Sequence, residues 1–215
     1  MPKARYLILL PVIWQLTACA ATGVRLSDPD RSGLNRQAVI HVLHYESALP
    51  RVENRGKTKA PTPAAVRRHA AADPAALVAQ SLGQLLIKKE KLKNLRIEPR
   101  HLPLPVAKNA TDYREKFRHG LVLELWTDAW SFTTLPADPK TYVVNLSVHS
   151  RLARVEDGRV LWSTGRCRVD GNNGNRELRL LGTELTTGTK LRKLLAAARD
   201  DCARQLVRDF GVQRP

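Results

Sequence analysis

The sequence predicts an α+β fold: a mostly antiparallel sheet with a three-strand meander, helices packed on one face, and a long C-terminal helix. Three observations carry this. Tyr142, Val144, Leu146, Val148 and Leu152 alternate with Asn145, Ser147, His149 and Arg151, the period-two pattern of a half-buried antiparallel strand. Leu191, Leu194, Leu195, Ala198, Cys202, Leu206 and Phe210 recur at helical spacing, with Gly211 as a C-terminal stop. The signals run strand, helix, short strand, helix, three strands, helix, an order that suits two layers around one core.

The chain opens on Lys3 and Arg5, followed by an apolar run from Tyr6 to Leu16. At about eleven residues the run has the length of a signal-peptide core and is too short to span a bilayer as a helix. It ends in Leu16-Thr17-Ala18-Cys19, which resembles the bacterial lipobox. That resemblance implies cleavage before Cys19, acylation of its thiol and new amino group with palmitate-like chains, and anchoring rather than spanning. Ala20 after the cysteine resembles the outer-membrane sorting pattern, with the body facing the periplasm. Ala18-Cys19-Ala20 also fits an A-x-A cleavage site, which would release a soluble periplasmic protein.

Residues 1–18 are thus expected to be a lipoprotein signal peptide, 19–36 a flexible tether, and 37–215 a single α+β domain. The tether segment has Gly, Ser, Asp and Asn and no sustained period. Gln37–Ser47 reads as a first strand with apolar groups on both faces. His41 and His44 lie three apart in it, so they point to opposite faces and cannot chelate one metal together. Residues 48–63, rich in Pro, Arg and Lys, read as a basic loop, expected to be disordered.

Asp73-Pro74 supplies an N-cap and a proline at the first helical position. Val78, Leu82, Leu85 and Leu92 continue at helical spacing, and Lys88, Lys89, Lys91 and Lys93 crowd the end where cations favour the helix dipole. Those lysines could also touch lipid phosphates. A short strand from Leu95 to Glu98 and an irregular proline-containing stretch follow, then a short helix from Thr111 to His119. The meander comprises Leu121–Trp126, the alternating strand from Tyr142 to Leu152, and a third strand from Arg159 to about Val169, with Glu156-Asp157-Gly158 as a hairpin turn.

Three cysteines suit an exported chain. Lipidation would consume Cys19 and leave Cys167 and Cys202 as an even pair in an oxidising compartment. A disulfide closing that loop contributes roughly 4 kcal/mol on the chain-entropy model; two buried free thiols are the alternative. The formal net charge of +16 favours anionic partners such as anionic lipid or lipopolysaccharide phosphates, although much of it is accounted for by solvated surface. Nucleic acid is not expected outside the cytoplasm.

The lipobox, the strand Ile40-His41-Val42, Gly120-Leu121-Val122-Leu123-Glu124 leading to a tryptophan, Val160-Leu161-Trp162 ending in Cys167, and a final helix with Cys202 together resemble uncharacterised proteobacterial envelope lipoproteins. The layout is more distantly similar to the N-terminal domain of TolB and to curli-secretion lipoproteins. That resemblance carries no assigned activity, and a fold shared with other proteins does not assign one.

No Gly-x-Ser-x-Gly elbow, His-Glu-x-x-His or Cys-x-x-Cys occurs, and Gly171–Asn175 lacks the lysine of a phosphate cradle. No catalytic residue, metal site or cofactor is expected. Trp126, Trp130 and Trp162 form a candidate aromatic patch, with core packing as the plainer reading. The favoured reading is a non-enzymatic accessory, assembly or ligand-binding component of the cell envelope, docking on an envelope protein or a lipid. The alternative is a small envelope hydrolase or carbohydrate-active enzyme, in which Glu124 and His149 converge from adjacent strands in a cleft.

Overall fold

The computed structural model describes residues 23–36, 39–46, 49–56, 59–70, 72–99, 113–163, 165–171 and 178–211. The expected signal peptide at 1–18, Cys19, the expected helix cap Thr111 and most of the polar Gly171–Asn175 loop lie outside the described residues. The elements are α1 (Asp28–Gly33), a 3₁₀ turn (Leu34–Arg36), β1 (Ile40–His44), β2 (Arg51–Glu53), α2 (Pro63–Ala70), α3 (Pro74–Lys89), β3 (Leu95–Ile97), β4 (Leu121–Leu135), β5 (Asp138–Arg154), β6 (Val160–Trp162), β7 (Arg166–Asp170), β8 (Arg179–Leu181) and α4 (Thr189–Gly211). Among the described residues no helix is long and apolar enough to cross a membrane.

The expected α+β class and the antiparallel centre are present. β4 and β5 form a long hairpin, and β6, β7 and β8 pair antiparallel with successive stretches of β5. The other edge is parallel: β1 lies between β3 and β4, parallel to both, and β2 pairs parallel with the far half of β4. The chain leaves β1, crosses through α3 and returns in β3 beside it, so the crossover helix lands on a face of the sheet.

α2, α3 and α4 cover one face. Their apolar sides meet Leu121, Leu123, Leu125, Phe132, Val144, Leu146 and Val148 of the central hairpin in one core. α3 starts where the sequence places it: Asp73 accepts from the Ala75 N–H at 2.8 Å. The same carboxylate accepts from the Thr127 hydroxyl at 3.1 Å, so the cap also fastens the helix to β4. Gly83 lets α3 approach β3, because a Cβ there would stand 2.9 Å from Ile97 Cδ1.

Cys167 on β7 and Cys202 on α4 are both fully buried and are joined by a disulfide, with Cα atoms 5.1 Å apart. Three residues further along α4, Gln205 accepts from the Arg168 N–H (3.0 Å) and donates to the Arg168 carbonyl (3.1 Å). A side-chain amide thus occupies the edge of β7 that a further strand would otherwise pair with.

Three stretches differ from the sequence reading. The segment expected to be a tether is docked from Val24 onward. Leu26 and Leu34 are buried in the main core, the Ser163 N–H donates to the Val24 carbonyl (2.7 Å) while the Val24 N–H donates to Ser163 Oγ (2.9 Å), and Arg31 donates to the Phe210 carbonyl at 2.7 Å. Two isolated leucines give no period to read, yet both find apolar pockets. The loop at 48–63 contains β2, whose Val52 packs on the core, and ends in the first residue of α2. The third meander strand is two strands, β6 ending at Trp162 and β7 beginning at Arg166. Gly165 sits at the break because a Cβ there would lie 2.1 Å from Ser150 Oγ and 2.3 Å from Trp162. β8 has only three residues, too few to show a period in the sequence.

Candidate functional site: a polar sheet face with a basic recess

The second face of the sheet carries the polar chemistry. Leu43, Val122, Ala153 and Val155 form a small apolar cluster there, covered by Tyr113 and Phe117. Beside it Glu124 is fully buried. Tyr45 donates its hydroxyl to Oε1 of Glu124. Arg151, directly opposite on β5, donates to Oε2 through Nε at 2.7 Å and Nη2 at 2.5 Å. Nη2 also reaches the Tyr113 hydroxyl at 2.9 Å. Burial, followed by the Glu124 charge, pushes the Tyr113 phenol well above its usual range. Burial works against the charge on Arg151, but Glu124 and Tyr113 outweigh it and raise its pKa further.

His149 lies one pair along from this network, opposite Trp126, and stacks on it with ring centroids 5.4 Å apart. Its Nε2 faces Asp128 at 3.5 Å, and Arg166 donates to the same Asp128 oxygen at 3.0 Å. Burial lowers the His149 pKa, with Asp128 pulling the other way. Glu124 and His149 therefore share a face but have separate partners. The convergence that the hydrolase reading required is not made.

The three tryptophans do not form a patch. Residues four apart on a regular strand share a face, but the pairing of β4 with β5 shifts between Thr127 and Ala129, leaving Asp128 as the extra residue of a bulge. Trp126 keeps the polar face. Trp130 turns to the helix side, 5% exposed, edge-on to Phe132. Trp162 is 1% exposed and packs edge-on to Phe210 of α4. Among the described residues no cluster of three or more His, Cys, Asp or Glu side chains could hold a metal ion.

Next to the Glu124 network the face opens into a recess of about 480 Å³. His41 stacks on Phe117 (4.0 Å) and its Nδ1 pairs with Glu98 Oε1 at 2.8 Å. Arg96 reaches the same oxygen at 3.5 Å. Lys116, Arg118 and His119 complete the wall, so Glu98 is the one carboxylate against three permanently cationic side chains among the described lining residues. Such a recess suits a phosphate or carboxylate group. Sequence reasoning missed it: Arg96 and Lys116–His119 are far apart in the chain, and only the parallel pairing of β3, β1 and β4 brings them together.

No protein-family model matches the chain, and no curated protein matches it. Among solved structures the chain is similar to the PelC dodecamer from Paraburkholderia phytofirmans, at 17% identity over 81% of this chain and 95% of that one, with a TM-score of 0.31. It is similar to lipoprotein GNA1162 from Neisseria meningitidis at 16% identity, covering 78% and 99%, TM-score 0.31. The hypothetical protein CT253 from Chlamydia trachomatis gives 11% identity, covering 77% and 98%, TM-score 0.32. Likenesses this loose carry no argument about activity.

Proposed function

We propose that the protein is a lipid-anchored, periplasm-facing lipoprotein of the bacterial outer membrane, acting as a non-enzymatic accessory, assembly or ligand-binding component of the envelope. One observation carries the reading. The chain has three cysteines; Cys167 and Cys202 are buried and joined, which leaves Cys19, at the lipobox, as the only thiol to be accounted for. Disulfides persist in oxidising compartments, and the lipobox resemblance makes the remaining cysteine the candidate acylation site. The recess bounded by Arg96, Lys116 and Arg118 supports an anionic partner such as a lipid or lipopolysaccharide phosphate.

The test is metabolic labelling with palmitate in the native cell, followed by membrane fractionation. The wild type should take up label and sediment with the outer membrane through a high-salt wash, whereas C19S should take up none. A wild type that stays unlabelled and washes off in salt defeats the reading.

A further inference from the structure

A second concavity, of about 580 Å³, lies at the β4–β5 turn, where that turn meets the segment before α2 and the chain just after β8. Its wall is apolar: Pro61, Pro139, the Tyr142 ring and Leu181, which stays 48% exposed. Lys59 and Lys140 also line it, and among the described residues neither ammonium has an ion-pair partner within 4 Å. The nearby carboxylates are already engaged. Asp138 accepts from the Lys140 N–H (3.1 Å) and the Thr141 hydroxyl (2.6 Å). Glu184 accepts from the Leu181 N–H (2.6 Å) and from Lys190 (2.8 Å). Lys140 also acts through its charge on Asp138, but among the described residues neither lysine is closed into an ion pair, and an apolar trough beside two such cations fits a ligand with both characters.

We propose that this groove binds an anionic amphiphile, with an acyl chain laid on Pro61, Pro139, Tyr142 and Leu181 and a carboxylate or phosphate headgroup held by Lys59 and Lys140. The assignment deepens the ligand-binding part of the proposed function and does not depend on acylation of Cys19. The volume falls within the roughly 300–1,000 Å³ of small-molecule sites, which suits a single chain rather than a membrane surface. Substitutions at Lys59, Lys140 and Leu181 are readable because all three side chains are exposed and none is part of the core.

The experiment feeds cells expressing the full chain a palmitic acid bearing a diazirine and a terminal alkyne, irradiates them, and maps the adducts by mass spectrometry. Label at Cys19 forms without light and reports the anchor alone; light-dependent label reports the groove. The expected result is a light-dependent adduct on peptides containing residues 59–61, 139–142 or 181–186. Its mass separates a free fatty acid from a phosphate-bearing lipid. Both K59E/K140E and L181D should reduce that adduct about tenfold while leaving the Cys19 label unchanged. Adducts spread evenly over the surface, or a groove adduct unaltered in both variants, overturn the assignment. So does a crosslink joining a groove peptide to the Cys19 peptide, since the occupant would then be the chain's own anchor.

Discussion

Arg151 holds Glu124 across the central hairpin from the directly opposed position, with Nε at 2.7 Å and Nη2 at 2.5 Å from one carboxylate oxygen. Because the Tyr45 hydroxyl takes the other oxygen, the fully buried carboxylate is satisfied on both sides. Removing one partner leaves the other buried without compensation, whereas removing both does not. E124A should therefore cost about 3 kcal/mol in urea unfolding. E124M/R151M should cost less than the sum of the single variants; strict additivity would show that the pair is not coupled.

The bulge at Asp128 gives the two neighbouring tryptophans different energetic roles. W130A empties a site in the main core and should cost about 3 kcal/mol. W126A removes a half-buried ring stacked on His149 and should cost less than about 1 kcal/mol. Equal losses in chemical denaturation would place both rings on one face and refute the bulge.

Burial holds His149 below its ordinary value of 6.5, and the neighbouring groups divide, Asp128 raising it and Arg166 lowering it. The unfolded chain therefore binds a proton at higher pH than the folded one. This contribution to stability is present above the unfolded pKa and is lost as pH falls from there through the lower folded pKa. Between about pH 7.5 and pH 5.5 the melting temperature of the wild type should fall more than that of H149Q. Parallel curves would show that the imidazole titrates equally in both states.

Leu34 makes a measurable case of the N-terminal segment. It is 2% exposed in the main core, and its carbonyl accepts from Asn94 Nδ2 at 3.0 Å. L34A should cost about 3 kcal/mol, the range of a buried leucine truncation, where a tether residue would cost nothing. Amide exchange of residues 31–36 should be protected in the wild type; immediate exchange would return the segment to a tether.

The disulfide joins β7 to α4 across 35 residues, so C167A/C202A should lose about 4 kcal/mol relative to the oxidised wild type. Thermal unfolding with and without reductant is the measurement. The reductant should shift the wild type and leave the variant unchanged.

The sequence by itself determined the longer local elements, α3, α4 and β5, and their exposed and buried sides. Asp73-Pro74 started α3, the 3.6-residue stripe from Leu191 to Phe210 defined α4, and strict alternation marked β5, because each signal is carried by neighbours within a few turns of chain. It also put Cys167 and Cys202 on faces that could meet. Only the tertiary structure decided how those elements pair. The parallel lodging of β1 between β3 and β4, the bulge that sends Trp126 and Trp130 to opposite faces, and the joining of Arg96 to Lys116 and Arg118 in one recess all depend on register between distant segments. The groove with Lys59, Lys140 and Leu181 was equally hidden, since its three contributing stretches are short and lack periodicity. Periodicity reports which way a side chain faces along its own strand or helix, and a site is made by what stands opposite it.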